Sequence, residues 1–548
     1  MTKISRTGGH IVVDQLLAEG VDRLFCVPGE SYLPILDRLY RSKIKTVSCR
    51  QEGGAAFMAE AYAKLTGKAG VVLATRGPGA TNASIGVHTA MQDSTPLVLL
   101  LGDVGRDFYG REAFQEVDFA RMFAPICKWA ARVEDIAHLP SMLTHAFQLA
   151  QSDRPGPIVL ALPEDLLREE AQLPKTKAKP PFRPQAEEAY VEAAAKLLKQ
   201  AKRPLLIAGG SLWTPGGKAA LAAFAKAWKL PVAVPFRRQD LMAGDHPSYA
   251  GDLGIGPDPN LFAAAKQADL LFLLGTRLGE IASQGYCLPQ AGQTVIHVHA
   301  GTSELGKVFH ADLAINATPD SFAQVIAQSP APKSPAWSGW TKEIRAHRES
   351  WSKPRATGGA LDAGLVMEAL ERLLPKDAIL TVDAGNFAGW PQRFLTFGAR
   401  RLLGPTCGAM GYGIPAGVSA SLAEPEKCVV TFVGDGGALM TGQELASAVQ
   451  HKAKPIILLF DNKMFGTIRM HQEKKYPGRV SATDLVNPDF ARWAESFGAV
   501  GITVAKTADF EPAFKKAMAA KRPALLHLLT DPDIITPNAR ISKMRARS

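Results

Sequence analysis

Short apolar runs rich in Val, Ile and Leu, each closed by glycine or a polar residue, alternate along this chain with segments of helical period. Runs of this length are too short to cross a membrane and suit strands buried on both faces. Strand and helix in strict alternation is the pattern of parallel sheets joined by crossover helices, so the fold class is α/β. Segments 24–27 and 71–74 read as strands with a helix over 55–65 between them. Further strands are read at 204–208, 270–274 and 294–298, and again at 379–382, 428–433 and 456–460.

A chain of 548 residues exceeds what one core organises and predicts about three domains. Two proline-rich stretches divide it. The first, 173–185, carries Pro174, Pro180, Pro181 and Pro184; the second, 329–359, carries Pro330, Pro332, Pro335 and Pro354. Proline breaks helices and central strands, so both read as linkers. They leave blocks 1–172, 188–328 and 360–535, each a mostly parallel sheet flanked by helices, and a basic tail over 536–548. The tail, with Arg540, Lys543, Arg545 and Arg547, reads as solvated.

The formal charge of +11 is spread along the chain and mixed with acids, without a basic helix or aromatic-basic module. No nucleic-acid partner is expected, and no membrane association. Gly8, Gly9, His10 and Asp14 interrupt any apolar leader, so a cytoplasmic location is expected. The six cysteines lack metal-like spacing, and Cys26 and Cys428 sit in apolar runs that suit free thiols.

The sharpest chemical signal is Gly434-Asp435-Gly436-Gly437, placed directly after an apolar run. A helix is expected over 441–451, and the next strand ends at Asp461-Asn462. Glycines at a strand-to-helix turn let backbone amides approach a phosphate, and the helix N-terminus favours its charge. The dinucleotide fingerprint and the phosphate loop are both absent. An acid, Asp435, instead stands where the phosphate would come, and two anions there require a hard cation between them. Asp435 and Asn462, 27 positions later, can supply oxygen ligands to Mg²⁺ on a diphosphate.

This segment resembles the thiamine-diphosphate binding motif, which opens on Gly-Asp-Gly and closes on an asparagine. The resemblance implies Asp435, Asn462 and the backbone carbonyl of Met464 as magnesium ligands. Asp461 stands where the family usually has asparagine. The segment from Gln51-Glu52-Gly53-Gly54 to Ala63, and Arg76-Gly77-Pro78-Gly79-Ala80-Thr81-Asn82 after it, resemble two further family hallmarks. By that resemblance Glu52 exchanges a proton with the cofactor's aminopyrimidine ring. A third segment, Gly408-Ala409-Met410-Gly411-Tyr412-Gly413, resembles the pyrimidine cradle. There Gly408 would accept from the amino group, and Met410 would wedge under the cofactor, enforcing proximity of its reacting atoms.

Across the chain the resemblance is to the acetolactate synthase and 2-oxo acid decarboxylase family. It implies decarboxylation of a 2-oxo acid and transfer of the acyl-anion equivalent to a carbonyl acceptor. It also implies a homodimer or homotetramer with active sites between subunits. Phe114, Gln115 and Lys128 resemble positions near the reacting centre, with Phe114 and Lys128 as substrate contacts and Gln115 as a catalytic candidate. Glu30 falls where a decarboxylase carries a catalytic acid, and it equally suits a helix start. After Gly275-Thr276-Arg277 the chain lacks the run typical of flavin-binding members, so FAD is not expected. Readings within the family are a non-ligating decarboxylase and a 2-hydroxyacyl- or oxalyl-CoA lyase. From other classes, a non-catalytic nucleotide-binding module or a structural subunit is set against these.

Overall fold

Three six-stranded sheets, all parallel, carry the chain in a computed structural model that describes residues 5–175 and 177–545. The first sheet runs in space Lys45–Ser48, Arg23–Cys26, Gly70–Thr75, Leu97–Asp103, Pro157–Pro163, Trp129–Arg132. The third runs Arg401–Leu403, Ile379–Val382, Val429–Gly434, Ile456–Asp461, Ala524–Leu529, Val500–Val504. Numbered along the chain, both have the order 2-1-3-4-6-5, so the first and third blocks repeat one doubly wound plan. The middle sheet runs Tyr249–Leu253, Val232–Pro235, Pro204–Ala208, Leu270–Leu274, Thr294–His299, Leu313–Asn316, an order of 3-2-1-4-5-6.

The central strands of each sheet are buried from end to end, which is why they read as continuous apolar runs rather than alternating ones. In such sheets the crevice beyond the carboxyl ends of the strands is the ligand site, and the candidate residues of the first and third blocks, Lys128 apart, cluster at those ends.

Those two blocks lock together through the helices Glu52–Thr66 and Gly413–Ala423. Ser419 donates to the carbonyl of Met58 at 2.7 Å, and the rings of Phe57 and Tyr412 meet edge to face at 5.4 Å. Glu60, fully buried in this seam, accepts from Thr95 at 2.7 Å and Tyr412 at 2.6 Å and pairs with Lys64 at 2.8 Å. Ala61, Leu403, Ala416 and Val429 are buried with these rings.

Three local expectations fail, each for a physical reason. The stretch 329–359 is not all linker: Ser338–Ser352 is a helix. Its prolines lie outside those bounds, and Trp337, Trp340, Ile344 and Arg348 recur at helical spacing to pack on the central block. The helix after the glycine turn begins at Asp435 itself, stops at Thr441, and resumes over Glu444–Gln450. The break is at Gly442, where a Cβ would lie 2.3 Å from the Trp493 ring. The tail is exposed at Lys543 and Arg545 as expected, but it is folded rather than free. Ile534–Thr536 pairs with Ala539–Arg540, and the helix Ile541–Arg545 follows, with Ile541 buried beside Met464 and Ile535. Arg547 lies outside the described residues.

Candidate active site

A cavity of about 700 Å³ opens at the carboxyl ends of the third sheet. Gly434, Asp435, Gly436 and Gly437 form one wall, Gly408 and Met410 another, and Asn462 and Met464 a third. These residues are separated in sequence and arrive together because each follows a strand or the loop that caps one. Gly408 adopts φ +73°, and no atom lies within 4 Å of where its Cβ would point. At Gly436 a Cβ would stand 2.6 Å from the Phe465 ring, so the turn admits only glycine without a shift.

Asp435 is 3% exposed. Burial pushes its pKa up to about 6, and the carboxylate of Asp461 adds to the rise, against hydrogen bonds from Asn487 and the Gly436 amide. Asn487 is the shared partner, donating at 2.8 Å to Oδ2 of Asp435 and at 2.8 Å to Oδ1 of Asp461. His527 Nε2 meets the other oxygen of Asp461 at 2.8 Å. Burial opposes ionisation of Asp461, but the bonds from His527 and Asn487 outweigh it and hold the carboxyl below its ordinary range. One carboxylate, the Asn462 amide oxygen and the Met464 carbonyl make an all-oxygen donor set, the preference of a hard divalent cation. No cluster of three His, Cys, Asp or Glu is spaced for a metal among the described residues. A cation here would relieve the cost of burying Asp435, so the residues fit a cation-bridged diphosphate.

Asp383, at the end of the strand Ile379–Val382, organises the cradle beside it. Its two oxygens accept from the amides of Gly411 at 3.0 Å and Gly413 at 2.9 Å. Arg237 reaches in from the central block and donates to the carbonyls of Val382 at 2.6 Å and Asp383 at 2.8 Å. Burial pushes Asp383 up to about 6 despite those amides, and pulls Arg237 down to about 10.

The other candidates gather at the carboxyl ends of the first sheet. Glu52 heads the helix Glu52–Thr66 and accepts from the Asn82 amide at 2.9 Å. Glu30 opens a short 3-10 turn after the strand Arg23–Cys26 and is exposed. Gln115, at φ +66°, accepts through its carbonyl from Gly77 at 2.9 Å, while Arg76 donates to the carbonyl of Phe114. That pair of contacts sets the loop bearing Phe114 and Gln115 beside the turn that follows Gly70–Thr75, with Phe114 77% exposed.

Lys128 does not join this group. It precedes the strand Trp129–Arg132, at the amino ends of the sheet, and its Nζ donates to the carbonyls of Leu149 at 2.6 Å and Ser152 at 2.9 Å. An ammonium holding the last carbonyls of the helix Leu139–Gln151 is a helix-terminus contact, and within one chain it sets Lys128 apart from the other candidates.

Family models described as the N-terminal, central and C-terminal domains of thiamine pyrophosphate enzymes match residues 6–122, 191–326 and 383–528. The acetolactate synthase isozyme 2 large subunit of Escherichia coli (strain K12) is 32% identical, over 98% of this chain and 99% of its own. The chain belongs to this family. It is a thiamine-diphosphate-dependent enzyme of acetolactate synthase type. A probable acetolactate synthase large subunit of Methanocaldococcus jannaschii is 31% identical over 98% of this chain and 95% of its own. The acetolactate synthase large subunit of Corynebacterium glutamicum is 31% identical over 96% and 87%. The family match therefore spans all three sheets, and both the glycine turn and the Asp383 cradle lie inside the segment matched as the C-terminal cofactor-binding domain. No helix among the described residues is long and apolar enough to cross a membrane.

Within one chain Glu52 does not line the cavity. Twelve residues further along its helix, about 18 Å at 1.5 Å per residue, Lys64 donates to the carbonyl of Gly404 at 3.0 Å. Glu52 and the loop leading to Gly408 thus lie toward opposite ends of one helix.

Proposed function

We propose that this enzyme decarboxylates a 2-oxo acid and joins the remaining acyl unit to a second carbonyl compound. The observation that carries the reading is the convergence of Asp435, Asn462, the Met464 carbonyl, Gly408 and Met410 on one cavity. The full-length likeness to proteins named acetolactate synthases supports ligation over simple decarboxylation.

Mg²⁺ is the cation proposed for Asp435, Asn462 and the Met464 carbonyl, with the Gly434–Gly437 amides receiving the diphosphate. When bound, thiamine diphosphate supplies a carbon nucleophile and an electron sink for the departing carboxylate. The chain's part is to bind, orient and move protons. Met410 would orient the cofactor, Glu52 would give and take a proton at a ring nitrogen, and the Gly408 carbonyl would accept from the neighbouring amino group. Glu30, Phe114 and Gln115, on the same edge as Glu52, face the substrate end. Because Glu52 and Gly408 lie apart in one chain, the site is completed by two copies, with Glu52 of one facing the cavity of the other. A homodimer is the smallest such assembly.

Incubation of the purified protein with pyruvate, thiamine diphosphate and Mg²⁺, with carbon dioxide and organic products followed by NMR, tests this. Acetolactate supports ligation; acetaldehyde alone makes the enzyme a decarboxylase. Failure to bind thiamine diphosphate would overturn the reading entirely.

A further inference from the structure

Interior arginines are almost always paired with an anion. Two in the wall of the cavity, besides the Arg237 already described, form no ion pair among the described residues. Arg348, on the helix Ser338–Ser352, is 6% exposed and sits 5.4 Å over the Tyr249 ring. Its guanidinium makes no hydrogen bond or ion pair with any described residue. Arg393, on the helix Gly389–Phe394, is 7% exposed and lies 3.5 Å over the Trp351 ring. It donates to the Trp351 carbonyl at 2.9 Å and to the Asn538 amide oxygen at 2.7 Å, both neutral acceptors. Arg355 converges on the same Asn538 oxygen at 2.7 Å.

The nearby acids act only at a distance. Against the larger effect of burial, the charge of Asp258 works to raise the Arg393 pKa and that of Arg348 to lower the Asp252 pKa, but neither pair closes to an ion pair among the described residues. Asp258 uses Oδ1 to cap the Asn260 amide at 2.9 Å and leaves Oδ2 without a partner, and burial pushes Asp252 above the ordinary carboxylate range despite the charge of Arg348. The amide nitrogen of Gln392, in the same wall, is also buried without an acceptor. Burial and the neighbouring charge of Arg355 pull Arg393 down to about 10. Arg348, Arg393 and Arg355 outnumber Asp252 and Asp258 here, and an anion entering from the cavity would meet that excess charge and the stranded donor of Gln392. Stacking on Trp351 holds the Arg393 fork in one plane, the geometry in which a guanidinium takes a carboxylate or phosphate through two parallel bonds.

We propose that Arg348 and Arg393 form an oxyanion-recognising subsite, so that the substrate carries an anionic group remote from its reacting carbonyl. As a statement about substrate, this rests on the 2-oxo acid reading above; the anion site itself is open to a separate test.

Calorimetric titration of the full-length protein with glutarate, a dicarboxylate, and separately with coenzyme A, a phosphate ester, provides it, with and without thiamine diphosphate and Mg²⁺. At least one probe is expected to bind once per chain. Its affinity should fall at least tenfold in Arg348→Gln and recover in part in Arg348→Lys, with circular dichroism confirming that both variants fold. Arg393→Gln serves as the second variant. Binding of glutarate assigns a second carboxylate to the substrate; binding of coenzyme A assigns a phosphate-bearing one. If neither probe binds, or if the variants bind as tightly as the parent, the subsite does not exist. Anion binding that depends on Arg348 in a protein unable to take up thiamine diphosphate would overturn the cofactor reading and leave the subsite standing.

Discussion

The side-chain amide of Asn82 holds Glu52, donating a 2.9 Å hydrogen bond to Oε2 of its carboxylate. The two residues belong to the first turns of neighbouring helices or lie close to them, and Glu52 is 8% exposed. A carboxylate so placed has one oxygen tied and one to offer. Glu52→Gln is expected to bind thiamine diphosphate and to lose about 10²–10⁴-fold in turnover, the usual worth of a positioned proton-transfer group. Asn82→Ala, which removes only the orientation, should lose less. Steady-state kinetics beside a cofactor titration separate the effects. Full activity in Glu52→Gln would end its proton-exchange role.

Asn487 acts on the cation site through other residues, since it bonds both Asp435 and Asp461. Outer partners of this kind typically change metal affinity about 10–100-fold. Asn487→Ala should therefore weaken Mg²⁺ uptake by that factor, measured at saturating thiamine diphosphate. Asp435→Ala removes a ligand outright and should do more. Equal effects of the two variants would contradict this division between ligand and supporting partner.

Asp383 carries a pH signature. Its pKa in the folded chain is about 6, against an ordinary 3.8. A carboxyl raised on folding adds stability that is complete below the ordinary value and is lost as pH rises through the folded one. The melting temperature of the parent, taken relative to Asp383→Asn, should therefore fall as pH rises from about 4 through 6 and level off above it. At about 2–4 °C per kcal/mol for domains of this size, scanning fluorimetry resolves the trend. A difference that stays flat over that window would mean Asp383 is ionised throughout.

What the sequence made legible follows from how local each signal is. Buried parallel strands announce themselves as unbroken apolar runs, so Pro204–Ala208, Leu270–Leu274 and Ile379–Val382 could be read to the residue. The glycine turn and Glu52 were legible because their chemistry is carried by neighbours in the chain. Asp383, Asn487 and His527 were not. Each is a single polar residue whose partner lies 26 residues or more away, or in a loop that folding alone brings near. Resemblance alone could not place Lys128, since the same side chain serves equally well as a helix-terminus donor, and only the strand direction shows which end of the sheet it occupies. A count of prolines missed the helix Ser338–Ser352, whose interior contains none.

Among the contacts that tie down the C-terminal segment is one buried acid, and breaking that tie gives the last prediction. Glu473 is fully buried and accepts from Arg469 Nε at 3.0 Å, Arg545 Nε at 2.9 Å and the Gly478 amide at 3.0 Å. The Arg545 guanidinium, with Arg469 in support, holds its carboxyl down to about 2. A lowered acid stabilises at every pH above its ordinary 4.5 and fails only as pH falls toward 2, so the tie is intact at neutral pH. Removing the charge weakens two charge-assisted bonds at once, each worth about 1.5–3 kcal/mol. Glu473→Gln should therefore speed amide hydrogen exchange over 534–545 by about 10–100-fold while leaving the sheets protected. Because Thr536, Pro537, Asn538 and Ala539 wall the cavity, the same variant should release bound thiamine diphosphate faster. Exchange mass spectrometry reads the first effect and stopped-flow dilution the second. Faster exchange without faster release would show that the segment shapes the wall but does not retain what the cavity holds.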